Sequence, residues 1–391
     1  MNVLFQLAHP AHFYYFREII HRLQNDGNKV IILIKSKDIL EDLLQKAGMP
    51  YINIMHSVHK KNKLAYLWDL MIRDMYVFHY TVKYKIDLLA GSTSEVAQIG
   101  WLLRRHSICI GEDDAAVVPA YIQTIKPFVK TRLTPTSCDN GPIENKSVHY
   151  PGFLKLAYLH PNVFTPSVNV CEKYNIDISK PYFLIRFAKL NAHHDTGVQG
   201  ISTEVAQHII DLLSPHGQIY ITSERELEPQ FEQYRLHINP LDIHHVMAFA
   251  TLYIGDSQSM AVEAAMLGVP SLRFNDFVGK KKIGVMEELE HTYGLTYGIS
   301  SHEPEALYAK IQELLRLIGG EAGGFDGAHL GGVRGSFDGV MGLKSEFQAR
   351  RQRMLADKID VTAFFTWFIE HYPASATQAK NADTAFWQQF K

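Results

Sequence analysis

The sequence predicts an α/β protein of two consecutive domains, each a parallel sheet with helices on both faces, and three observations carry that expectation. A chain of 391 residues is longer than one ordinary core fills and comfortable for two. Short apolar runs of strand length alternate with segments of helical periodicity. The alternation then starts afresh after Pro181.

In the first half, residues 3–7 are an apolar run, 11–23 have helical spacing that ends near Asn25-Asp26-Gly27, and 30–34 are a second, β-branched run. A helix is predicted to start at Ser36, a good N-cap, and to end at Ala47-Gly48. Buried strands follow at 87–90 and 107–110, with a helix over 94–105 between them. Apolar strands separated by helices imply a parallel sheet, whose ligands sit at the carboxyl ends of the strands.

The second half repeats the pattern: strands at 182–187, 218–222, 252–255 and 270–274, and helices over 202–213, 243–250 and 259–267. The boundary is placed near residues 166–181, giving domains over 1–166 and 167–318. Residues 319–342 are crowded with glycine and read as a flexible insertion; a glycine-rich phosphate loop would need a strand before it. Residues 343–391 hold two predicted helices, 347–359 and 361–371. The second carries Phe364, Phe365, Trp367 and Phe368, which suit packing back on the first domain.

Lys plus Arg total 39 against 41 Asp plus Glu, so no basic excess exists to bind a phosphate polymer, and nucleic acid is excluded as the expected partner. Cys109, Cys138 and Cys171 form neither a CxxC pair nor an even framework and read as free thiols of a reducing compartment. The amino terminus lacks the parts of a signal peptide, and no apolar run is long enough to span a bilayer. The expected location is the cytoplasm, which makes the Asn145-Lys146-Ser147 sequon accidental.

The strongest chemical signal is the run from Gly255-Asp256-Ser257-Gln258-Ser259-Met260 through Glu263 to Leu267-Gly268-Val269-Pro270. A strand ends, small polar residues turn the corner and a helix begins, so free amides and the positive helix end make an anion site. Glu263 lies one turn after Ser259, where its carboxylate suits both hydroxyls of a ribose. The competing reading is plain capping, with Ser257 or Ser259 as the cap and Glu263 in solvent.

This block resembles the nucleotide-binding signature of non-hydrolysing UDP-N-acetylglucosamine 2-epimerases and related glycosyltransferase-B enzymes, in which a small-residue turn, a ribose-binding Glu and Leu-Gly-x-Pro follow in this order. Gln258 and Ser259 stand where the epimerases have paired glycines. Over more of the chain, His9-Pro10-Ala11-His12-Phe13, Gly111-Glu112-Asp113-Asp114, Arg186-Phe187, His193-His194-Asp195 and Gly255-Asp256-Ser257 together resemble the family of domain of unknown function 354, itself similar to glycosyltransferase-B proteins. The resemblance implies two Rossmann-like domains facing a cleft.

The loop His9-Pro10-Ala11-His12 contains no glycine, which argues against a dinucleotide fingerprint and against NAD; no cofactor is expected. In glycosyltransferase-B enzymes this loop faces the donor sugar. His12 there is a candidate general base, or else a packing residue at the helix start. Glu112, Asp113 and Asp114 cluster at a strand end, where crowding raises carboxyl pKa values; they read as acid or base candidates or as a solvated loop. Arg186, ending the first strand of the second domain, suits a diphosphate or a salt bridge.

Adjacent His193 and His194 point to opposite faces of a strand, and no metal-ligand spacing supports them and Asp195, so no metal site is expected. His244 and His245 begin a helix where related enzymes hold the nucleotide base, or else they pack a loop. Residues 60–76 mix Lys60, Lys61 and Lys63 with Tyr66, Trp68 and Tyr76 at helical spacing, which fits either contact with an anionic membrane surface or a core helix with a solvated basic start.

The leading expectation is a metal-independent glycosyltransferase of surface polysaccharide or glycolipid assembly, taking a nucleoside diphosphate sugar and a carbohydrate or lipid-linked acceptor. His12, Glu112 and Asp113 are its candidate catalytic groups; Arg186, Ser257, Gln258, Ser259, Met260, Glu263 and His244 hold the nucleotide. The alternatives are a sugar-nucleotide epimerase on the same scaffold, with Glu112 or Asp113 moving the proton at C2, and a non-catalytic sugar-nucleotide-binding subunit.

Overall fold

A computed structural model of the chain describes residues 1–56, 63–188, 200–319 and 339–391. His193, His194, Asp195 and most of the glycine-rich stretch lie outside the described residues. The chain divides into two compact units: Met1–Phe164 with Ile283–Val285 and Ala356–Lys391, and Thr165–Lys282 with Met286–Leu355.

The first unit begins with β1 (Asn2–Leu7), α1 (Pro10–Asn25), β2 (Lys29–Ser36), α2 (Leu40–Lys46), β3 (Ile52–His56), α3 (Lys63–Lys83), β4 (Leu88–Gly91) and α4 (Ser94–Leu102). It continues through β5 (His106–Ile110), α5 (Pro119–Ile125), β6 (Thr131–Pro135), β7 (Ser147–Tyr150) and α6 (Leu156–Leu159). All its strands are parallel, in the order β3-β2-β1-β4-β5-β6-β7. The order reverses between β1 and β4, where Val3 pairs with Leu88 and Gln6 with Gly91. Such a switch point opens a crevice at the carboxyl ends of the strands.

The second unit holds α7 (Val168–Lys173), β8 (Tyr182–Phe187), α8 (Thr203–Leu213), β9 (Gln218–Ser223), α9 (Ile243–Phe249), β10 (Leu252–Gly255), α10 (Gln258–Met266) and β11 (Ser271–Phe274). A short α11 (Gly284–Glu287), whose first two residues belong to the first unit, β12 (Thr296–Ile299), α12 (Pro304–Gly319) and α13 (Gly339–Asp357), whose last two do, follow. Its five strands, also parallel, run β12-β11-β10-β8-β9, so its switch point lies between β8 and β10.

Both sheets are apolar because both faces are covered: Val3, Leu4 and Phe5 of β1 and Phe183, Leu184 and Ile185 of β8 are fully buried. The last helices, α14 (Val361–Glu370), α15 (Ala374–Lys380) and α16 (Thr384–Gln388), belong to the first unit, as expected from their aromatic content. Asp360 caps α14 by accepting from Ala363 N at 2.9 Å. Phe364, Phe365 and Phe368 are buried, each stabilising by roughly 1.5–3 kcal/mol relative to exposure.

Three local expectations are corrected. Ser36 does not start a helix: β2 runs through it, because Ser36 pairs with His56 of β3 while its hydroxyl donates to Glu41 at 2.6 Å. The helix predicted to reach residue 105 stops at Leu102, and Arg104 adopts a left-handed φ of 53° to return the chain to β5. Helix α10 begins one residue early, at Gln258, because Ser257 is its cap.

Candidate functional site

In the second unit, β8 and β10 run side by side until Arg186 stands opposite Gly255. A Cβ on Gly255 would lie 2.5 Å from the Tyr253 hydroxyl and 2.9 Å from Arg186 Cβ, so only glycine fits this close crossing. Asp256 comes next and is 2% exposed. Its carboxylate accepts from Ala188 N at 2.6 Å and from Ile201 N at 3.3 Å, and its carbonyl accepts from Asn275 Nδ2 at 3.0 Å. Burial pushes this carboxyl up to about 6, against the backbone hydrogen bonds that hold it down. Asp256 therefore organises the strand-end loops, a role the sequence reading did not assign.

Ser257 caps α10 by accepting from Met260 N at 3.4 Å, which is the capping alternative for that residue. The amides of Gln258 and Ser259 belong to the first turn, where no carbonyl of the helix is in reach. They lie at the positive helix end, where Ser259 is exposed and Gln258 and Met260 are half-buried. Arg186 pairs with Glu224, and its buried Nε has no hydrogen-bond partner among the described residues. The Tyr253 hydroxyl, fully buried beneath the turn, likewise has none.

Glu263 is not solvated: it is buried, with Oε2 3.4 Å from Nε2 of buried His244. The structure thus brings together two residues predicted independently for nucleotide binding. His245 goes elsewhere, its Nδ1 accepting from Ser167 N at 3.0 Å, the loop-packing role.

In the first unit the three acidic residues after β5 diverge. Asp113 is exposed; Asp114 is buried and accepts from Asp139 N and Gly284 N, each at 2.7 Å. Glu112 turns inward, where Oε1 accepts from Tyr15 Oη at 3.2 Å and pairs with Lys155 Nζ. Lys155 is 4% exposed and also lies over the Tyr15 ring, 5.8 Å from its centre. The other carboxylate oxygen, Oε2, is buried with no hydrogen-bond partner among the described residues. Tyr15 and Lys155 were missed by the sequence reading; a lone lysine inside the apolar run Phe153-Leu154-Lys155-Leu156-Ala157 was the available signal.

His12 stacks on Tyr15 with ring centres 6.3 Å apart. Its Nδ1 accepts from Ala8 N at 3.2 Å, which places the proton of the neutral ring on Nε2. Burial, reinforced by His9 and Lys37, pulls its pKa down to about 3. That burial weighs against a free general base near neutral pH, and Nε2 of the neutral ring is a donor. His9 caps α1, accepting from Ala11 N at 3.2 Å. Among the described residues no three His, Cys, Asp or Glu side chains gather as metal ligands.

No protein-family model matches the chain, and no curated protein does. Solved structures do. UDP-GlcNAc 2-epimerase from Neisseria meningitidis bound to UDP-GlcNAc superposes with a TM-score of 0.58 at 12% identity, over 91% of this chain and 100% of that one. The S. aureus MnaA–UDP complex gives a TM-score of 0.62 at 11% identity over 96% and 98%. Spinosyn rhamnosyltransferase SpnG with spinosyn aglycone gives 0.55 at 13% over 95% and 99%. At such identities the likeness is one of fold, and the fold is the two-domain glycosyltransferase-B architecture of parallel α/β units that epimerases and glycosyltransferases share.

Proposed function

We propose that this protein binds a nucleoside diphosphate sugar on its second unit and is a metal-independent glycosyltransferase, related to the family of domain of unknown function 354. The observation that carries the reading is the β8–β10 switch point, where Arg186 at the end of β8 pairs with Gly255, the residue that leads into the turn and the start of α10. Arg186 with the amides of Gln258 and Ser259 takes the diphosphate. Glu263, held by His244, accepts from the ribose hydroxyls, and Ser257 and Met260 shape the turn.

The acceptor side belongs to the first unit. Glu112, whose Oε1 is held by Lys155 and Tyr15, and exposed Asp113 are the two carboxylates offered to take the proton of an acceptor hydroxyl. The acceptor oxygen bonds to the anomeric carbon as the bond to the diphosphate breaks opposite it, and Arg186 meets the charge on the leaving group. His12 donates from Nε2 to a substrate oxygen. The acceptor class is a carbohydrate or lipid-linked sugar of surface polysaccharide or glycolipid assembly in the cytoplasm.

A second reading is favoured by the fold likeness to 2-epimerases bound to UDP-GlcNAc. In it Glu112 or Asp113 moves the C2 proton and no acceptor is consumed. Calorimetry with nucleoside diphosphates and their sugars, followed by product analysis with and without acceptors, tests both. Binding that fails for all common nucleotides at millimolar concentration overturns both readings; binding without turnover leaves a sugar-nucleotide-binding subunit. Activity that survives EDTA is expected, and loss restored by magnesium or manganese counts against a metal-independent reaction.

A further inference from the structure

Helix α3 is amphipathic the wrong way round for a helix that faces water. Two of its charged residues point into the first unit: Asp69 is 9% exposed and Arg73 8%, Lys35 reaches Asp69 at 3.0 Å, and Arg73 pairs with fully buried Glu95, while Asp74 is half-buried. Its outward residues are Trp68, Met71, Met75, Tyr76, Phe78 and Val82, all exposed, Met75 by 63% and Trp68 by 58%. Residues 68, 71, 75, 78 and 82 alternate by three and four, which aligns them in one stripe roughly 20 Å long. Monomers rarely leave so many large apolar side chains contiguous in water.

The stripe continues. Helix α4 packs on α3, and because β4 and β5 are parallel both helices end at the amino edge of the sheet. There α4 exposes Trp101 and Leu102. Around these ends Lys83, Lys85, Arg104 and Arg105 are exposed. No carboxylate is exposed over residues 68–85 or 101–105, and the next one along the chain, Asp87, is bonded to Asn2 N at 2.8 Å. No helix among the described residues is long and apolar enough to cross a membrane.

We propose that the outward face of α3 with the end of α4 is a peripheral docking surface for an anionic lipid bilayer, its apolar stripe entering the headgroup boundary and its four cations meeting lipid phosphates. Charge decides the occupant. A second copy packed in parallel would bring the same cations against themselves, and one packed antiparallel would set them beside a face with no exposed carboxylate over residues 68–85. A two-helix seam built on 68-71-75-78-82 would also be flanked by Ile72, Asp74, His79 and Thr81, which hold no Lys or Arg to answer a carboxylate of the other helix. A lipid surface needs no such pairing. The proposal stands independently of the nucleotide reading.

The test is flotation of the full chain with vesicles of phosphatidylcholine alone and of an equal mixture with phosphatidylglycerol. Partition into the mixed vesicles is expected to exceed that into neutral ones by about tenfold or more, with a blue shift of tryptophan emission. Met75→Glu should lower partition by a similar factor, and Lys83→Glu with Arg104→Glu should abolish the preference for the anionic lipid. These side chains are exposed, so the thermal midpoint should stay put; Met71→Glu reports on the same stripe if Met75→Glu unfolds. Absence of wild-type binding to the mixed vesicles, or binding that both glutamate variants leave unchanged, overturns the proposal. So does a wild-type dimer that Met75→Glu converts to monomer without vesicle binding, which would assign the stripe to a second copy.

Discussion

The carboxyl strand edges of the two units are built alike and finished differently. In the second unit the switch point leaves positive groups without an internal answer: the first amides of α10 have no helix carbonyl in reach, and the ion-pair partner of Arg186 among the described residues, Glu224, is half-exposed. In the first unit the polar groups are answered from within, Glu112 by Lys155 and Tyr15, Asp114 by two backbone amides, His12 by Ala8 N. An edge that keeps donors open is suited to hold an anion before any chemistry. An edge whose carboxylate is clamped through one oxygen, with the other buried and without a hydrogen-bond partner among the described residues, keeps a fixed polar group in store.

If that contrast is right, its largest consequence is in stability. Lys155→Met leaves the Glu112 carboxylate buried without its cation and should cost about 3–5 kcal/mol in urea unfolding, with much of it recovered when Glu112→Gln is added. Arg186→Ala should cost under about 1 kcal/mol, because Glu224 can turn to water, while nucleotide affinity falls by about a hundredfold. Equal costs at the two positions would erase the difference between the edges.

The next effect concerns Asp256. Its folded pKa of about 6 lies above the ordinary 3.8, so between those values the folded protein holds a proton that the unfolded chain has released. Stability from this group is present below pH 4 and is lost as pH rises to about 6, a change of about 3 kcal/mol. Unfolding free energies from pH 4 to 8 should show that slope in the wild type and lack it in Asp256→Asn. A slope shared by both would place the proton elsewhere.

His12 gives the opposite sign. Its folded pKa of about 3 lies below the ordinary 6.5, so the unfolded chain takes up a proton that the folded one refuses, and stability falls as pH drops below 6.5. By pH 5 the loss is about 2 kcal/mol, somewhat less because the ring keeps partial contact with water. His12→Asn should be less sensitive to acid over that range. If it is instead identical to wild type while turnover falls, the ring titrates freely and the base role returns to it.

The same contrast separates what could be read in the residues from what could not. The second unit's edge was legible because strand, small-residue turn and helix are contiguous from Leu252 to Met266, so their order alone implies the anion site. Glu112's surroundings were not, since Tyr15 and Lys155 lie 97 and 43 residues away in the chain. Strand β6 escaped notice because Thr131-Arg132-Leu133-Thr134-Pro135 has no apolar run, its buried guanidinium being held by Asn140 Oδ1 at 3.2 Å and lying over the Tyr121 ring. Periodicity located α3 but not the side it buries, because the buried side carries an ion network. Periodicity reports that a helix has two faces, and only the neighbours decide which is inside.

The smallest expected effect bears on whether Ser257 serves the fold or the ligand. Its hydroxyl accepts from Met260 N, so Ser257→Ala leaves an amide of the first turn without an acceptor and should cost about 1 kcal/mol. Ser259 is exposed in the first turn with no such bond, and Ser259→Ala should cost almost nothing in stability. Nucleotide affinity should respond the other way, since a hydroxyl beside the open amides can reach the diphosphate while the capping hydroxyl is already occupied. Thermal unfolding and calorimetry on the two variants give four numbers. If Ser257→Ala weakens binding more than Ser259→Ala while leaving stability untouched, the hydroxyl turns from the helix to the ligand. The second unit would then resemble the first in spending its polar groups on contacts already made, and the contrast between the two edges would rest on Arg186 alone.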